Sequence, residues 1–105
     1  MTTVTFYKSD NLICGFDSKG HSGYAKEGED IVCSAISSAT IMTANTITEI
    51  MQLNAEVTCD DGYLSLVLSS DEAKKASDVL DGLKLHLTAL SEQYNKYLKV
   101  KISEV

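Results

Sequence analysis

The sequence predicts an α+β fold with the element order ββαββαβ. Three observations support this prediction. Short runs with alternating apolar residues come in pairs, turn-forming residues join each pair, and two longer segments repeat apolar residues every three or four positions. We expect a mainly antiparallel sheet with two long helices on one face, in a single domain over residues 1–105.

The first two strands are predicted from the runs VTFY and LICGFDS. Alternation places these residues on one face of each strand: Val4 and Phe6 on the first, and Leu12, Cys14 and Phe16 on the second. The intervening KSDN, residues 8–11, is typical of a turn. A second hairpin is predicted in EVTCDDGYLSLVLS, with its turn at Asp61-Gly62.

Two segments have the apolar spacing of helices. The first runs from Asp30 to about Leu53. The second follows Ser69 and Glu72, which have the spacing of a capping box, and its apolar residues recur as far as Tyr97. A final strand is predicted in YLKVKISE, where apolar and polar residues alternate.

Composition and charge narrow the classes of function. The 105 residues carry a formal net charge of −6 and are 44% hydrophobic, as expected of a globular chain long enough to bury a core. The acidic charge disfavours broad binding to phosphate backbones, so we expect no direct nucleic-acid partner. We see no apolar run of the roughly 18 residues that a membrane span needs and no export signal, and therefore expect no membrane association. The three cysteines then fit free thiols in a reducing cytoplasm.

The first predicted helix is unusual because residues 31–48 contain no charge and are rich in serine and threonine, which are mediocre helix formers. A helix face exposed to solvent normally carries Glu and Lys. We therefore expect this helix to be covered on more than one side, by the sheet and by the same helix of a second copy, which predicts a homodimer. The alternative is that its small residues pack only against the second helix.

The stretch GHSGYAKEGEDIVCSAIS, residues 20–37, contains the candidate site. Asp30 is a candidate N-cap, which places Cys33 in the first turn of the helix. The positive end of the helix dipole there favours the nucleophilic thiolate. The loop before the helix contains His21, which is suited to proton transfer near neutral pH, and backbone N–H groups at the helix start, including that of Cys33, could hold an oxyanion. The loop glycines permit tight reversals of the chain: Gly20, Gly23 and Gly28.

Structural interpretations of the same residues stay open on chemistry alone. A cysteine in an apolar helix is more often a small core residue, and a loop histidine is often only part of a loop. A metal site needs three or four ligands, so we expect no metal. No cofactor is expected either, because the glycines lack nucleotide-binding spacings. Cys14 and Cys59 are expected to be structural, and His86 solvated.

Residues 20–37 resemble the signature of the ribosomal-processing cysteine proteases, the Prp family. That signature is a G-H-[small]-G-x-A loop followed by G-x-D-I-V-C-[small]-A-[aliphatic]-S at a helix start. Ser22 and Ser34 replace the alanine that is common at their positions, and neither change removes a reactive group. The matching residues are Gly20, His21, Gly23, Ala25, Gly28, Asp30, Ile31, Val32, Cys33, Ala35, Ile36 and Ser37.

The resemblance implies a hydrolase, a thiol protease that acts in ribosome biogenesis. In such a protein His21 and Cys33 form the catalytic pair of an endopeptidase. It removes an N-terminal extension from the precursor of a bacterial large-subunit ribosomal protein, after a run of hydrophobic and aromatic residues. The resemblance further implies a cytoplasmic homodimer and a mobile loop that settles when substrate binds. In this chain the loop would include Gly20, Ser22, Gly23, Tyr24 and Gly28.

A third, orienting residue is less defined by the sequence. Asp30 is the nearest acid in the motif, although a capping role would direct it to the backbone, and Asp17 is a second candidate. Two other functions remain as alternatives. One is a non-catalytic dimeric binding module with a glycine-rich ligand loop, and the other is a thiol redox sensor, which would lack a resolving cysteine near Cys33 in the sequence.

Overall fold

A computed structural model describes residues 1–26 and 29–105. Five strands form one sheet: β1 Thr2–Ser9, β2 Leu12–Lys19, β3 Ala55–Asp60, β4 Tyr63–Leu68 and β5 Leu98–Glu104. The helices are α1 Ile31–Asn45, which a π-helical turn Thr46–Ile50 continues, α2 Ser70–Lys75 and α3 Ser77–Gln93. The predicted α+β architecture with two long helices is confirmed.

The strands follow the order β3-β4-β2-β1-β5 across the sheet. Neighbouring strands are antiparallel except β1 and β5, which run parallel. Parallel neighbours need a long crossover connection, and here β5 follows α3 and returns to the edge beside β1. The sheet is therefore mixed but mainly antiparallel, and β3 forms its other edge.

The β1–β2 turn is tighter than predicted. It contains only Asp10 and Asn11, both with positive φ, of 53° and 66°. A two-residue turn with this backbone twist matches the twist of the flanking strands. The strands consequently extend further into the predicted turn than the sequence pattern indicated.

A β-bulge changes which residues of β2 enter the core. The register between β1 and β2 shifts after Tyr7, and Cys14 has no partner in it. The extra residue reverses the alternation, so Ile13 joins Phe16 in the core. The prediction is wrong for Leu12, which is only half-buried while Ile13 enters the core, whereas Cys14 is partly buried and packs against the core. The Cys14 thiol also donates to the Tyr7 carbonyl at 3.4 Å.

The core lies between the sheet and the helices. Its largest fully buried side chains come from both layers: Phe6, Phe16 and Leu66 from the strands, and Ile47, Leu80 and Leu87 from the helices. Each such side chain contributes about 1.5–3 kcal/mol by leaving water. Because α1 enters this core with one face, packing fixes the position of its N-terminal turn, where the candidate site lies.

Threonines in α1 and in the π-helical turn that continues it are accommodated by local hydrogen bonds. Their hydroxyl groups donate to the carbonyl four residues earlier, at 2.8–3.0 Å: Thr40 to Ile36, Thr43 to Ala39, Thr46 to Met42 and Thr48 to Ala44. This pairing satisfies hydroxyls that would otherwise be costly to bury. Thr40 and Thr43 are each only 2% exposed, so the core face of the helix tolerates polar residues.

The continuous helix Ile31–Ile50 contains an 18-residue window with a mean hydropathy of 1.3, and it is long and apolar enough, by length and composition, to cross a bilayer. This differs from the expectation that no segment meets that criterion, although a core helix of a globular domain can meet it too. One face of this helix packs in the core. Another face leaves Ile41, Met42 and Ile50 exposed, by 48%, 65% and 79%.

The second predicted helix is divided in two. Ser69 caps α2 as predicted, since its hydroxyl accepts the N–H of Glu72 at 3.4 Å. The Glu72 carboxylate accepts instead from the N–H of Asn54, at 3.1 Å, and ties α2 to the segment before β3. Ala76 has φ −94° and ψ 5°, which ends α2 before α3 begins. Tyr97, expected within the helix, lies beyond the end of α3.

Candidate active site

The start of α1 is fixed by Asp30. Its backbone is extended, with φ −82° and ψ 100°, and its Oδ1 accepts the N–H of Cys33 at 2.8 Å. The first helical hydrogen bond, from the Ser34 N–H to the Asp30 carbonyl at 3.1 Å, follows. The structure thus places Asp30 at the N-cap and a half-buried Cys33 in the first turn of the helix.

The second oxygen of the Asp30 carboxylate holds the loop. Oδ2 accepts the Ser22 hydroxyl and the N–H groups of Tyr24 and Ala25, the last two at 3.2 and 3.5 Å. Burial alone would raise the pKa of Asp30, but the hydrogen bonds from Ser22, Cys33, Ala25 and Tyr24 outweigh it and leave the pKa below its ordinary value. A buried, charged carboxylate therefore joins the loop to the helix start.

His21 lies against the β3–β4 turn. The N–H of Gly20 donates to the Gly62 carbonyl at 2.8 Å, which aligns the residue before the histidine with the turn. A Cβ atom on Gly62 would lie 3.0 Å from Nε2 of His21, which is tighter than most Cβ contacts in proteins. Gly62 also has φ +67°, a conformation that favours glycine, and a Cβ there would require the imidazole to shift by a few tenths of an ångström.

His21 and Cys33 line the same cavity, whose volume is about 270 Å³. One wall is formed by α1, through Ile36, Ser37, Thr40 and Ile41, and the opposite wall by the β3–β4 hairpin, from Cys59 to Leu64. The two predicted catalytic side chains are therefore brought together. Cys59, expected to be structural, is exposed and belongs to this cavity, because it lies on the edge strand where helices do not cover it.

Tyr24 attaches the loop to the segment between α3 and β5. Its ring is edge-on to those of Tyr94 and Tyr97, with centroid distances of 5.7 and 5.2 Å. Gly23, the preceding residue, has φ +77°. The predicted loop is thus attached through Ser22 and Tyr24, whereas Gly28 lies outside the described residues. That the loop moves when substrate binds stays a prediction.

The Cys33 N–H is not available for an oxyanion. It is directed to Asp30, so the expectation that this group stabilises the oxyanion is wrong. The N–H groups of Ile31 and Val32 precede the first helical hydrogen bond and have no helical acceptor. Neither Ile31 nor Val32 is among the residues that line the cavity shared by His21 and Cys33.

The remaining candidates lie away from the cavity. Asp17 is on the opposite face of the sheet, where it accepts the Tyr7 hydroxyl at 2.5 Å. This hydrogen bond, together with burial and the charge of Asp17, raises the pKa of Tyr7 to about 12. His86 is exposed on α3. Within residues 1–26 and 29–105, no three His, Cys, Asp or Glu residues cluster as metal ligands would.

The fold and the cavity define a class of enzyme. A cysteine at a capped helix start that shares a cavity with a loop histidine is an arrangement suited to thiol-dependent hydrolysis. The family model "Cysteine protease Prp" matches residues 1–99 of the chain. The protein therefore belongs to the Prp family and is a cysteine protease.

Solved structures share the fold. The essential ribosomal processing protease Prp from S. aureus, in complex with a covalently linked product peptide, has a TM-score of 0.90 at 22% identity over 98% of this chain and 100% of that one. The same protease with a substrate peptide has a TM-score of 0.84, at 21% identity over the same shares of the two chains. SMU.848 from Streptococcus mutans has a TM-score of 0.85 at 23% identity, covering 100% of this chain and 96% of that one. A search of curated proteins finds no match to the sequence.

Proposed function

We propose that this protease removes the N-terminal extension of a bacterial large-subunit ribosomal protein precursor in the cytoplasm. The observation that carries the proposal is that His21 and Cys33 line one cavity in a chain of the Prp family. The similarity to a ribosomal processing protease with peptides bound supports a peptide substrate. Family membership favours this function over the non-catalytic binding module.

In the proposed mechanism Cys33 is the nucleophile and His21 the acid–base residue. His21 takes the thiol proton, and the Cys33 thiolate attacks the scissile carbonyl to give a tetrahedral oxyanion. Collapse of this intermediate breaks the C–N bond as the imidazolium protonates the leaving amine. Water, deprotonated by His21, then hydrolyses the thioester and regenerates the thiol.

Asp30 has a supporting role in this mechanism. Because its two oxygens are occupied by Cys33 and by the loop, it does not orient the imidazole of His21. It keeps the helical turn that carries Cys33 and the loop that carries His21 in fixed positions relative to each other. It therefore opposes their separation when substrate enters. Asp17 has no part in the site because it faces the other side of the sheet.

We further propose that the enzyme is a homodimer whose contact includes α1. A groove of about 640 Å³ lies between α1 and α3. It is lined mainly by small and apolar residues, among them Ala35, Ser38, Ala39, Met42, Val79 and Gly82. Gly82 has no atom within 4 Å of where a Cβ would lie, so a partner helix can approach closely there. A second copy would bury the exposed Met42.

The test is cleavage of a purified precursor. The protein is incubated with the ribosomal precursor carrying its extension and, as a control, with the mature form that lacks it. We expect one new N-terminus by mass spectrometry from the precursor and no cut in the mature form. Cleavage of neither protein, or equal cleavage at scattered sites in both, contradicts the proposed substrate.

A further inference from the structure

We infer that Asp61, in the β3–β4 turn, is a positioning residue that holds the imidazolium of His21 toward Cys33 from the opposite wall of the cavity. The inference rests on the proposed roles of His21 and Cys33. It assigns a function to a residue that the sequence indicates only as part of a hairpin turn.

The geometry links the turn to the imidazole through neighbouring atoms. Oδ1 of Asp61 lies 4.0 Å from Nε2 of His21, within ion-pair distance. The same nitrogen is the His21 atom nearest to a Cβ built on Gly62. The hydrogen bond from Gly20 to Gly62 fixes the backbone on both sides of this contact. The imidazole of His21 therefore lies near the Asp61 carboxylate and close to Gly62, and the hydrogen bond from Gly20 to Gly62 ties the preceding residue to the same turn.

Other carboxylates at or near the site are occupied. Asp60 also lines the cavity, but its Oδ1 accepts the N–H of Asp61 at 2.8 Å, which stabilises the turn. Asp30 is committed to the helix start and the loop. Within the described part of the chain, Asp61 is the carboxylate that lies within ion-pair distance of His21.

The contact also assigns the two ring nitrogens. With Nε2 directed to Asp61 and Gly62, Nδ1 is the nitrogen that exchanges a proton with Cys33. The Cys33 thiol proton moves to Nδ1, and from Nδ1 to the leaving amine when the C–N bond breaks. Asp61 exchanges no proton in either transfer, and its carboxylate stabilises the imidazolium that exists between them.

The expected effect is moderate because the pair is open to water. The side chains of His21 and Asp61 are 54% and 85% exposed. Attraction between unit charges 4 Å apart in water changes an equilibrium by about fivefold, and salt weakens it further. Loss of Asp61 should therefore reduce the rate by about fivefold at low ionic strength, far less than loss of His21 itself.

The first experiment compares Asp61→Asn, Asp61→Glu and, as a matched charge control, Asp81→Asn on the exposed surface of α3. Alkylation of Cys33 by neutral iodoacetamide is followed near neutral pH at low and at high salt, together with kcat and KM for a cleavable precursor. We expect Asp61→Asn to slow alkylation and kcat by about fivefold with KM unchanged. Asp61→Glu should restore most of the rate, and high salt should narrow the gap between wild type and Asp61→Asn.

A second pair of variants tests the packing contact. Gly62→Ala places a methyl group against Nε2 of His21 and should slow alkylation of Cys33 by more than Asp61→Asn does. Asn11→Ala is its strain control, since Asn11 has φ 66° in the other hairpin turn, far from the cavity. Asn11→Ala should lower the thermal unfolding temperature, because alanine is strained at this positive φ, and it should leave the alkylation rate of Cys33 unchanged.

Three results would overturn the inference. They are an unchanged alkylation rate and kcat in Asp61→Asn, an equal decrease of these rates in Asp81→Asn, or a change in Asp61→Asn that is confined to KM. Failure of the proposed function gives a different pattern. If the wild type does not cleave the ribosomal precursor, the iodoacetamide rates still decide the role of Asp61, because they need no substrate. If Cys33→Ser retains full cleavage, the catalytic assignment fails, whatever Asp61 does.

Discussion

The carboxylate of Asp30 accepts the backbone N–H of Cys33 at 2.8 Å while its other oxygen accepts hydrogen bonds from the loop that carries His21. One buried side chain therefore determines where the helix that carries Cys33 begins and where the loop that carries His21 attaches. This arrangement explains why an acidic residue lies three positions before the cysteine, and it makes site geometry and local stability depend on the same group.

Replacing Asp30 should cost stability in a pH-dependent way. Asp30→Ala removes the cap and leaves buried donors unpaired, so the free energy of unfolding should fall by at least about 1 kcal/mol at neutral pH. Because the pKa of Asp30 is lowered in the folded state, its stabilisation is present above the ordinary Asp pKa of about 4 and is lost as pH falls through the folded value. Urea unfolding at neutral and acidic pH measures this. Asp30→Asn, which can still cap the helix, is the control for charge. If the difference in unfolding free energy between wild type and Asp30→Ala becomes larger in acid, the assignment is contradicted.

Cys33→Ser should separate chemistry from binding. The hydroxyl is far less ionised than the thiol, so precursor cleavage should fall by orders of magnitude while the fold, the dimer and precursor binding persist. His21→Ala should also abolish most cleavage, and the double variant should lose little more than either single one, since the pair acts as a unit. Processing and binding are measured in parallel for each variant. Near-normal processing by Cys33→Ser would show that another residue is the nucleophile.

Thiol reactivity should favour Cys33 over the more exposed Cys59. Cys33 alone among the three cysteines lies in a helix's first turn, and it shares its cavity with His21. With limiting iodoacetamide near neutral pH, mass mapping should find Cys33 labelled first. Because Cys59 lines the same cavity, the experiment is repeated in Cys59→Ser, which should leave the Cys33 rate nearly unchanged. Labelling of Cys59 or Cys14 before Cys33 would count against the site.

A charge in the α1–α3 groove should weaken the proposed dimer. Ser38 is exposed there, whereas the Thr48 hydroxyl donates to the Ala44 carbonyl and is half-buried, so Ser38→Glu is the cleaner change. Gln93→Glu, at the exposed end of α3, adds the same charge outside the groove. Light scattering at micromolar concentration should give twice the 11.4 kDa chain mass for wild type and Gln93→Glu and a lower mass for Ser38→Glu. A monomeric wild type would refute the dimer.

The Tyr7–Asp17 pair should be visible in an alkaline titration. The pKa of Tyr7 is raised to about 12, so the folded state favours the neutral phenol. Stability from this pair is complete below the ordinary Tyr pKa of about 10 and is lost as pH rises through about 12. Phenolate absorbance should show a late transition in wild type that is missing in Tyr7→Phe. If the late transition persists in Tyr7→Phe, another tyrosine is responsible.

Much of the site could be predicted from the sequence because its signals are local. The cap at Asp30, the position of Cys33 three residues later and the Asp61-Gly62 turn each depend on a few neighbouring residues. The element order followed from the apolar spacing for the same reason. Signals of this kind do not depend on how distant segments pack.

Only the tertiary structure decided which distant residues meet. The bulge at Cys14, the break at Ala76 and the exposure of Cys59 depend on how strands and helices pack together. The spacing of residues along the chain does not predict such long-range contacts. The contact of His21 with Asp61 and Gly62 joins segments forty residues apart, and it exists because strand pairing brings the end of β2 beside the β3–β4 turn. The sequence by itself indicated the proposed pair, His21 and Cys33, and determined the helix start beside Cys33, whereas the neighbours of the histidine depended on long-range pairing in the sheet.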